Sequence, residues 1–243
     1  MRVVIINLGG NQGKTTLALH FLQPRIGGCK ILAVESVNQA PESLEVDVEK
    51  VRGEDFKKIY RELVVSNDLI VDVGASNVEA FLEGLSSFDC GYDEVDLFVI
   101  PVTQGAKEQK EAVMTALALS GLGVDADRIR LVFNRVKRAV DDEFPEVIAQ
   151  ARRHGCFAAN LNCIVFENDI YADLSELGLS IDDACELAEH SMDRLKDEVR
   201  AASRDPGEFY TADKRLNVAK KARRTRDQLD AAFIELLGGD NAR

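Results

Sequence analysis

Tryptophan is absent from the 243 residues, aromatic residues make up only 6% and there are five prolines, yet 46% of the chain is apolar. That composition excludes disordered and fibrous classes and leaves enough core for one large or two small globular domains. No apolar stretch approaches the roughly 18 residues needed to span a bilayer. The opening run MRVVIINLGG is short and lacks a small-residue cleavage site, so a cytoplasmic protein is expected. The five cysteines (Cys29, Cys90, Cys156, Cys163, Cys185) are scattered without a CxxC spacing, which excludes a disulfide scaffold or a zinc site and predicts reduced thiols. The three histidines, His20, His154 and His190, stand apart from one another and from any nucleophile, and no chemistry is assigned to them.

Positive charge is also scarce. The formal net charge of -12 argues against a surface that binds nucleic acid throughout. Residues 214–226 (KRLNVAKKARRTR) nevertheless hold seven basic residues and no acid, leaving 23 basic against 42 acidic elsewhere. Any polyanion site is therefore expected to be local and C-terminal.

What the chain does have is alternation. Short Val/Ile-rich runs at Arg2 to Asn7, Lys30 to Val34, Asp68 to Val73, Leu97 to Val102, Ile129 to Asn134 and, more weakly, Cys163 to Phe166 predict strands. Between them the periodicity predicts helices at about 14–23, 53–65, 77–86, 105–121, 141–154 and 169–175. Such βαβ alternation predicts an α/β fold of three layers with a mostly parallel central sheet, its ligand at the carboxyl ends of the strands. The pattern after the sheet is helical, at Ile181 to Ala202 and Thr211 to Leu237, broken at Asp205-Pro206-Gly207. The expected division is a nucleotide-binding α/β domain over 1–185 and a C-terminal helical extension with a basic helix over 186–243. In the last helix Leu229, Ala232, Phe233, Leu236 and Leu237 recur at helical spacing, so its far end should pack on something.

The strongest chemical signal is Gly9-Gly10-Asn11-Gln12-Gly13-Lys14-Thr15-Thr16, set between a predicted strand and an apolar helix. This is the context of a P-loop, in which glycines turn backbone amides toward phosphate oxygens and a helix N-terminus adds its dipole. Lys14 would neutralise the β and γ phosphates and Thr15 would offer its hydroxyl to Mg²⁺. The strict GxxxxGK[ST] pattern fails at Leu8, where its first glycine belongs. Asn11 is tolerable in a glycine's place because Asn visits left-handed backbone conformations readily. The run Asp68-Leu69-Ile70-Val71-Asp72-Val73-Gly74 reads as a Walker B strand, with Asp72 on the metal side.

These residues resemble the ParA/MinD group of deviant Walker ATPases, and most closely the StbB-like plasmid stability proteins within it. The resemblance rests on Gly10 to Thr16, Val34-Glu35-Ser36-Val37-Asn38, Val71 to Asn77, Ile100-Pro101-Val102 and Val132-Phe133-Asn134-Arg135, and covers about residues 1–180. It implies binding of ATP and ADP with Mg²⁺ through Gly10, Asn11, Gln12, Gly13, Lys14, Thr15 and Thr16, with Asn134 and Arg135 near the base. It also implies that Ile164 to Glu167, including Val165 and Phe166, line the base's other side. Lys14, Asp72 and Glu35 are the implied catalytic residues, Glu35 being the first of two family acids, and Thr15 and Asp72 the metal-side pair. Gly9 stands where the family carries a lysine that reaches across a dimer, and Val37 where it carries its second acid. Slow hydrolysis and a switch role for the bound state are the resulting expectation.

The resemblance further implies an ATP-bound homodimer and a partner protein of a plasmid stability or partition system. The basic helix has three open readings: a solvated face, non-specific DNA contact through Lys220, Lys221, Arg223 and Arg224, or a membrane surface, the least favoured. These cations do not all share one helix face. Residues 103–111 predict either a switch loop or a polar helix start. Two other functions use the same site: a nucleotide-binding adaptor without turnover, and a P-loop small-molecule kinase, for which no lid segment is evident.

Overall fold

Parallel strands that are covered on both faces read as unbroken apolar runs, and the segment Val3-Val4-Ile5-Ile6 has no exposed surface at all. In the computed structural model, which describes residues 1–35, 48–52 and 55–238, this segment belongs to strand β1 (Arg2–Ile5) and its exit. The other strands are β2 (Ile31–Val34), β3 (Val48–Val51), β4 (Leu69–Val73), β5 (Leu97–Val102), β6 (Ile129–Val136) and β7 (Ile164–Phe166). They form one seven-stranded sheet in the order β3-β2-β4-β1-β5-β6-β7, with every pairing parallel. The expected α/β fold is therefore present, with an entirely parallel sheet and helices flanking it.

Six of these strands coincide with the predicted runs. Strand β3 does not, for a physical reason: it is the sheet's edge, and it alternates Val48, Glu49, Lys50 and Val51. An edge strand needs fewer apolar positions than a buried one, so it escapes a search for continuous apolar runs. Glu49 forms ion pairs with Lys30 and Lys58. Ser36, Val37 and Asn38, read above for their place in the site, lie outside the described residues.

Helix α1 (Lys14–Leu17) continues as a π-helical turn over Ala18–Leu22. The next helices are α2 (Phe56–Val65), α3 (Val78–Ser87) and α4 (Ala106–Gly121). The start of α4 at Ala106 makes residues 103–111 a polar helix start. The predicted 141–154 helix is two, α5 (Val140–Glu143) and α6 (Pro145–His154), because Pro145 opens a helix rather than continuing one. Then follow α7 (Ile170–Leu177), α8 (Ile181–His190), α9 (Met192–Ala201) and α10 (Pro206–Leu236). Helix α10 begins at Pro206, earlier than the expected Thr211. Asp205 caps it, its Oδ1 accepting from the amides of Gly207 at 2.8 Å and Glu208 at 3.0 Å, and proline is tolerated in a first turn.

The described chain divides into two compact units, and the break falls at Asn168 rather than between 185 and 186. One unit comprises the sheet, its helices and residues 231–238; the other is 168–230. In the first, the last turns of α10 meet the sheet domain: Phe233 stacks edge-on against Phe21 with ring centroids 6.0 Å apart, and Asn160 Nδ2 donates to the Glu235 carbonyl at 3.0 Å. The helix's far end is thus packed, as its spacing required. In the second unit Leu195, Leu216 and Ala219 form a small core with Leu187 and Met192, which the break between α8 and α9 at Ser191 brings onto α10.

Candidate functional site

The sheet order reverses at β1, which lies between β4 and β5, and the loop leaving it opens at the carboxyl ends of the strands, where α/β sheets bind ligands. Side chains far apart in sequence fix that loop. Asn7 is fully buried; its Nδ2 donates to the Pro101 carbonyl at 2.7 Å and its Oδ1 accepts from the Gly9 amide at 2.7 Å. Thr115 Oγ1 accepts from the Leu8 amide at 3.0 Å. Gln12 is buried, its Oε1 accepting from both the amide and the hydroxyl of Thr103 at 3.1 and 2.8 Å.

Two residues of the loop require left-handed backbone, Asn11 at φ 59 and Gly13 at φ 78. Asn11 adopts it as expected. Gly13 could not carry a side chain, since a Cβ would stand 2.6 Å from Asn134 Nδ2. Gly9 is crowded too: a Cβ there would lie 2.4 Å from Glu111 Oε2. The position where the family resemblance expects a cation thus faces a carboxylate.

Gly10 to Thr16 line a cavity of about 600 Å³ together with Glu35, Asp72, Gly74, Ala75, Ser76 and Arg135. Lys14 is buried, and its Nζ donates to the carbonyls of Asn7 at 3.3 Å and Gly9 at 3.0 Å. Burial holds its pKa below the ordinary lysine value, against the pull of Asp72 and Glu111. Thr15 Oγ1 donates to Asp72 Oδ2 at 2.6 Å. Burial pushes the Asp72 carboxyl up to about 6; the Thr15 hydroxyl and Lys14 oppose the shift and Glu35 adds to it. Its other oxygen, Oδ1, is buried without a hydrogen-bond partner among the described residues. A buried carboxylate oxygen left unmatched beside a threonine hydroxyl suits a hard cation held by oxygen ligands, so Thr15 and Asp72 fit Mg²⁺. Among the described residues no cluster of three or more His, Cys, Asp or Glu side chains offers another metal site.

The residues expected on the base side have these surroundings. Asn134 is buried and donates from Nδ2 to the Gln12 carbonyl at 2.8 Å, while its Oδ1 accepts from the Arg135 amide at 3.0 Å. Its amide is engaged by the loop's backbone, and it does not line the cavity. Nor do Val165, buried in β7, and Phe166, exposed at the sheet edge. Arg135 does line it. The sequence reading missed Asn7, Thr103 and Thr115 as loop anchors, because only the sheet order brings them to Gly9 and Gln12. The signal at Asn7, a buried polar residue at the end of an apolar strand, was available.

The basic helix is also altered by folding. Within 168–230, Lys214 pairs with Asp173 and Glu176, Arg215 with Glu198, Lys221 with Asp169 and Arg223 with Glu189. Of the four candidate nucleic-acid contacts, Lys221 and Arg223 are thereby ion-paired within their own unit. Lys220 and Arg224, four residues apart and both exposed, make no ion pair among the described residues. Among the described residues no helix is long and apolar enough to cross a membrane.

The MinD cell division protein of Aquifex aeolicus superposes with a TM-score of 0.50 at 16% identity, over 91% of this chain and 96% of that one. The cell division ATPase MinD of Pyrococcus furiosus gives 0.50 at 13% identity, over 90% and 98%. The chain shares the fold of these MinD proteins. Lys14, Thr15 and Asp72 line one cavity of this fold. No family model and no curated protein matches the chain.

Proposed function

We propose that the protein is an ATP-dependent switch of MinD/ParA type. It binds ATP and ADP with Mg²⁺ at Gly10 to Thr16, hydrolyses ATP slowly and, in the ATP-bound form, dimerises and engages a partner protein of a plasmid stability or partition system. The observation that carries this reading is the pair Thr15–Asp72 at the foot of a pinned phosphate loop, with Asp72 Oδ1 unmatched. When bound there, Mg²⁺ supplies charge neutralisation for the β and γ phosphates. Lys14 exchanges its loop carbonyls for phosphate oxygens, and Glu35, on the same cavity wall, orients water. Slow turnover is favoured by Gly9, which offers no cation to a partner subunit's phosphates. Lys220 and Arg224 are the residues through which the C-terminal helix contacts non-specific DNA.

The adaptor reading is favoured by one observation, the Glu111 carboxylate beside Gly9, which occupies the space that a side chain at that position would take. Light scattering of the purified protein without nucleotide, with Mg-ADP and with Mg-ATP, alongside phosphate release, separates the two. A doubled mass with Mg-ATP alone is expected, with slow release. Tight ATP binding at unchanged mass and without release gives the adaptor, because a ligand shifts only an equilibrium whose states it binds differently.

A further inference from the structure

Among the described residues three non-glycine residues sit at positive φ, and two of them, Asn11 (φ 59) and Arg135 (φ 56), meet at the cavity. Arg135 Nη2 donates to Asn11 Oδ1 at 3.4 Å. Asparagine adopts this conformation readily, whereas arginine gains nothing by it. The cause lies in the sheet. The β6–β7 register shifts between Asn134 and Val136, so Arg135 is the extra residue of a bulge, a device that re-aims a side chain. Its backbone is held there by the Asn134 side chain on its amide and by Gln104 Nε2, which donates to its carbonyl at 2.7 Å. Glycine would satisfy this backbone without strain, so the presence of arginine points to the cavity. Strain of this kind collects where a site is preorganised.

The charges agree. The cavity wall carries Lys14 and Arg135 against Glu35 and Asp72, a balance with no surplus for a polyphosphate until metal arrives. Lys14 is buried, whereas Arg135 is exposed and makes no ion pair among the described residues. We propose that Arg135 is a phosphate clamp that this chain supplies to its own site, its guanidinium turning from Asn11 onto the outer phosphate oxygens of a bound nucleoside triphosphate. The planar fork of arginine suits two such oxygens at once. The proposal rests on the nucleotide reading of the cavity, and it provides from within the chain a cation that Gly9 does not.

The test is calorimetric titration of the full chain with adenosine, AMP, ADP and ATP in Mg²⁺, for the wild type and for Arg135→Gln, Arg135→Lys and Arg135→Gly, with thermal unfolding of each. ATP affinity is expected to fall about tenfold to a hundredfold in Arg135→Gln and Arg135→Gly, as for a lost charge-assisted contact. Adenosine and AMP should bind as before, Arg135→Lys should lie between, and Arg135→Gly should melt at or above the wild-type temperature because its backbone strain is gone. Equal losses for ATP and adenosine would assign Arg135 to the base or to the fold and overturn the clamp, as would unchanged ATP binding in Arg135→Gln. If the wild type binds none of the four, the nucleotide reading itself fails and the clamp with it, a result distinct from wild-type binding that the variants retain.

Discussion

Asn134 Nδ2 donates to the Gln12 carbonyl at 2.8 Å, and the same nitrogen lies 2.6 Å from where a Cβ on Gly13 would stand. One amide therefore pins the phosphate loop and closes the space beneath it. Asn134→Ala leaves the Gln12 carbonyl unmatched in a buried place, at a cost of roughly 1–3 kcal/mol in stability. ATP and GTP affinity should fall together, with their ratio unchanged. A variant that loses its preference for ATP while keeping its stability would return Asn134 to reading the base; urea unfolding and competitive titration of the two nucleotides decide it.

Asp72→Asn keeps the shape of the group that accepts from Thr15 and removes a buried charge. The nucleotide-free protein should melt at a higher temperature, since the buried carboxylate is held against desolvation. The tightening of ATP binding by Mg²⁺ should drop by about tenfold or more, because the metal loses a charged partner. Titrations in Mg²⁺ and in EDTA read the difference, and an unchanged Mg²⁺ effect would remove Asp72 from the metal site.

His20 lies in the π-helical turn after the phosphate loop, where burial lowers its pKa from 6.5 to about 4. Between these values the unfolded chain binds the proton and the folded one does not, so stability is intact above about pH 6.5 and is lost as pH falls toward 4. The loss attributable to this residue approaches about 3 kcal/mol, at 1.36 kcal/mol per unit. Urea unfolding at pH 7 and pH 4.5 should show a shallower pH slope in His20→Gln than in the wild type. Parallel slopes would mean that His20 takes the proton without opening the fold.

Lys220 and Arg224 are the exposed, unneutralised pair of the basic helix. If they contact DNA phosphates, replacing both by Gln should weaken binding to random duplexes and reduce the slope of log K against log salt by about two. Lys221→Gln should leave that slope nearly unchanged, since its charge is already taken by Asp169. Fluorescence anisotropy across a salt series measures both; an unaltered slope in the double variant makes this face merely solvated.

The parts legible in the sequence were those whose signal is contiguous. β1, β4 and β5 declare themselves because buried parallel strands are apolar at every position. The loop declares itself because phosphate binding needs glycine, lysine and threonine at adjacent places. β3 was hidden because an edge strand tolerates Glu49 and Lys50, and the split of α5 from α6 was hidden because Pro145 can open a helix as well as end one. Asn134 was half legible for another reason. A polar residue at the end of a strand reads alike whether its amide meets a ligand or a backbone carbonyl, and the Gln12 carbonyl it meets lies 122 residues away.

By itself, then, the sequence determined the alternating α/β order, the phosphate loop in register with its strand and helix, and Asp72 at the end of its own strand. These follow from backbone preferences and from burial periodicity, which neighbouring residues set among themselves. Only the tertiary structure decided that Asn134 serves the loop, that Asp169 and Glu189 neutralise Lys221 and Arg223, and that a bulge turns Arg135 toward the phosphate loop. Those outcomes depend on which distant groups the sheet order and helix packing bring within hydrogen-bond reach, and no local pattern encodes that distance.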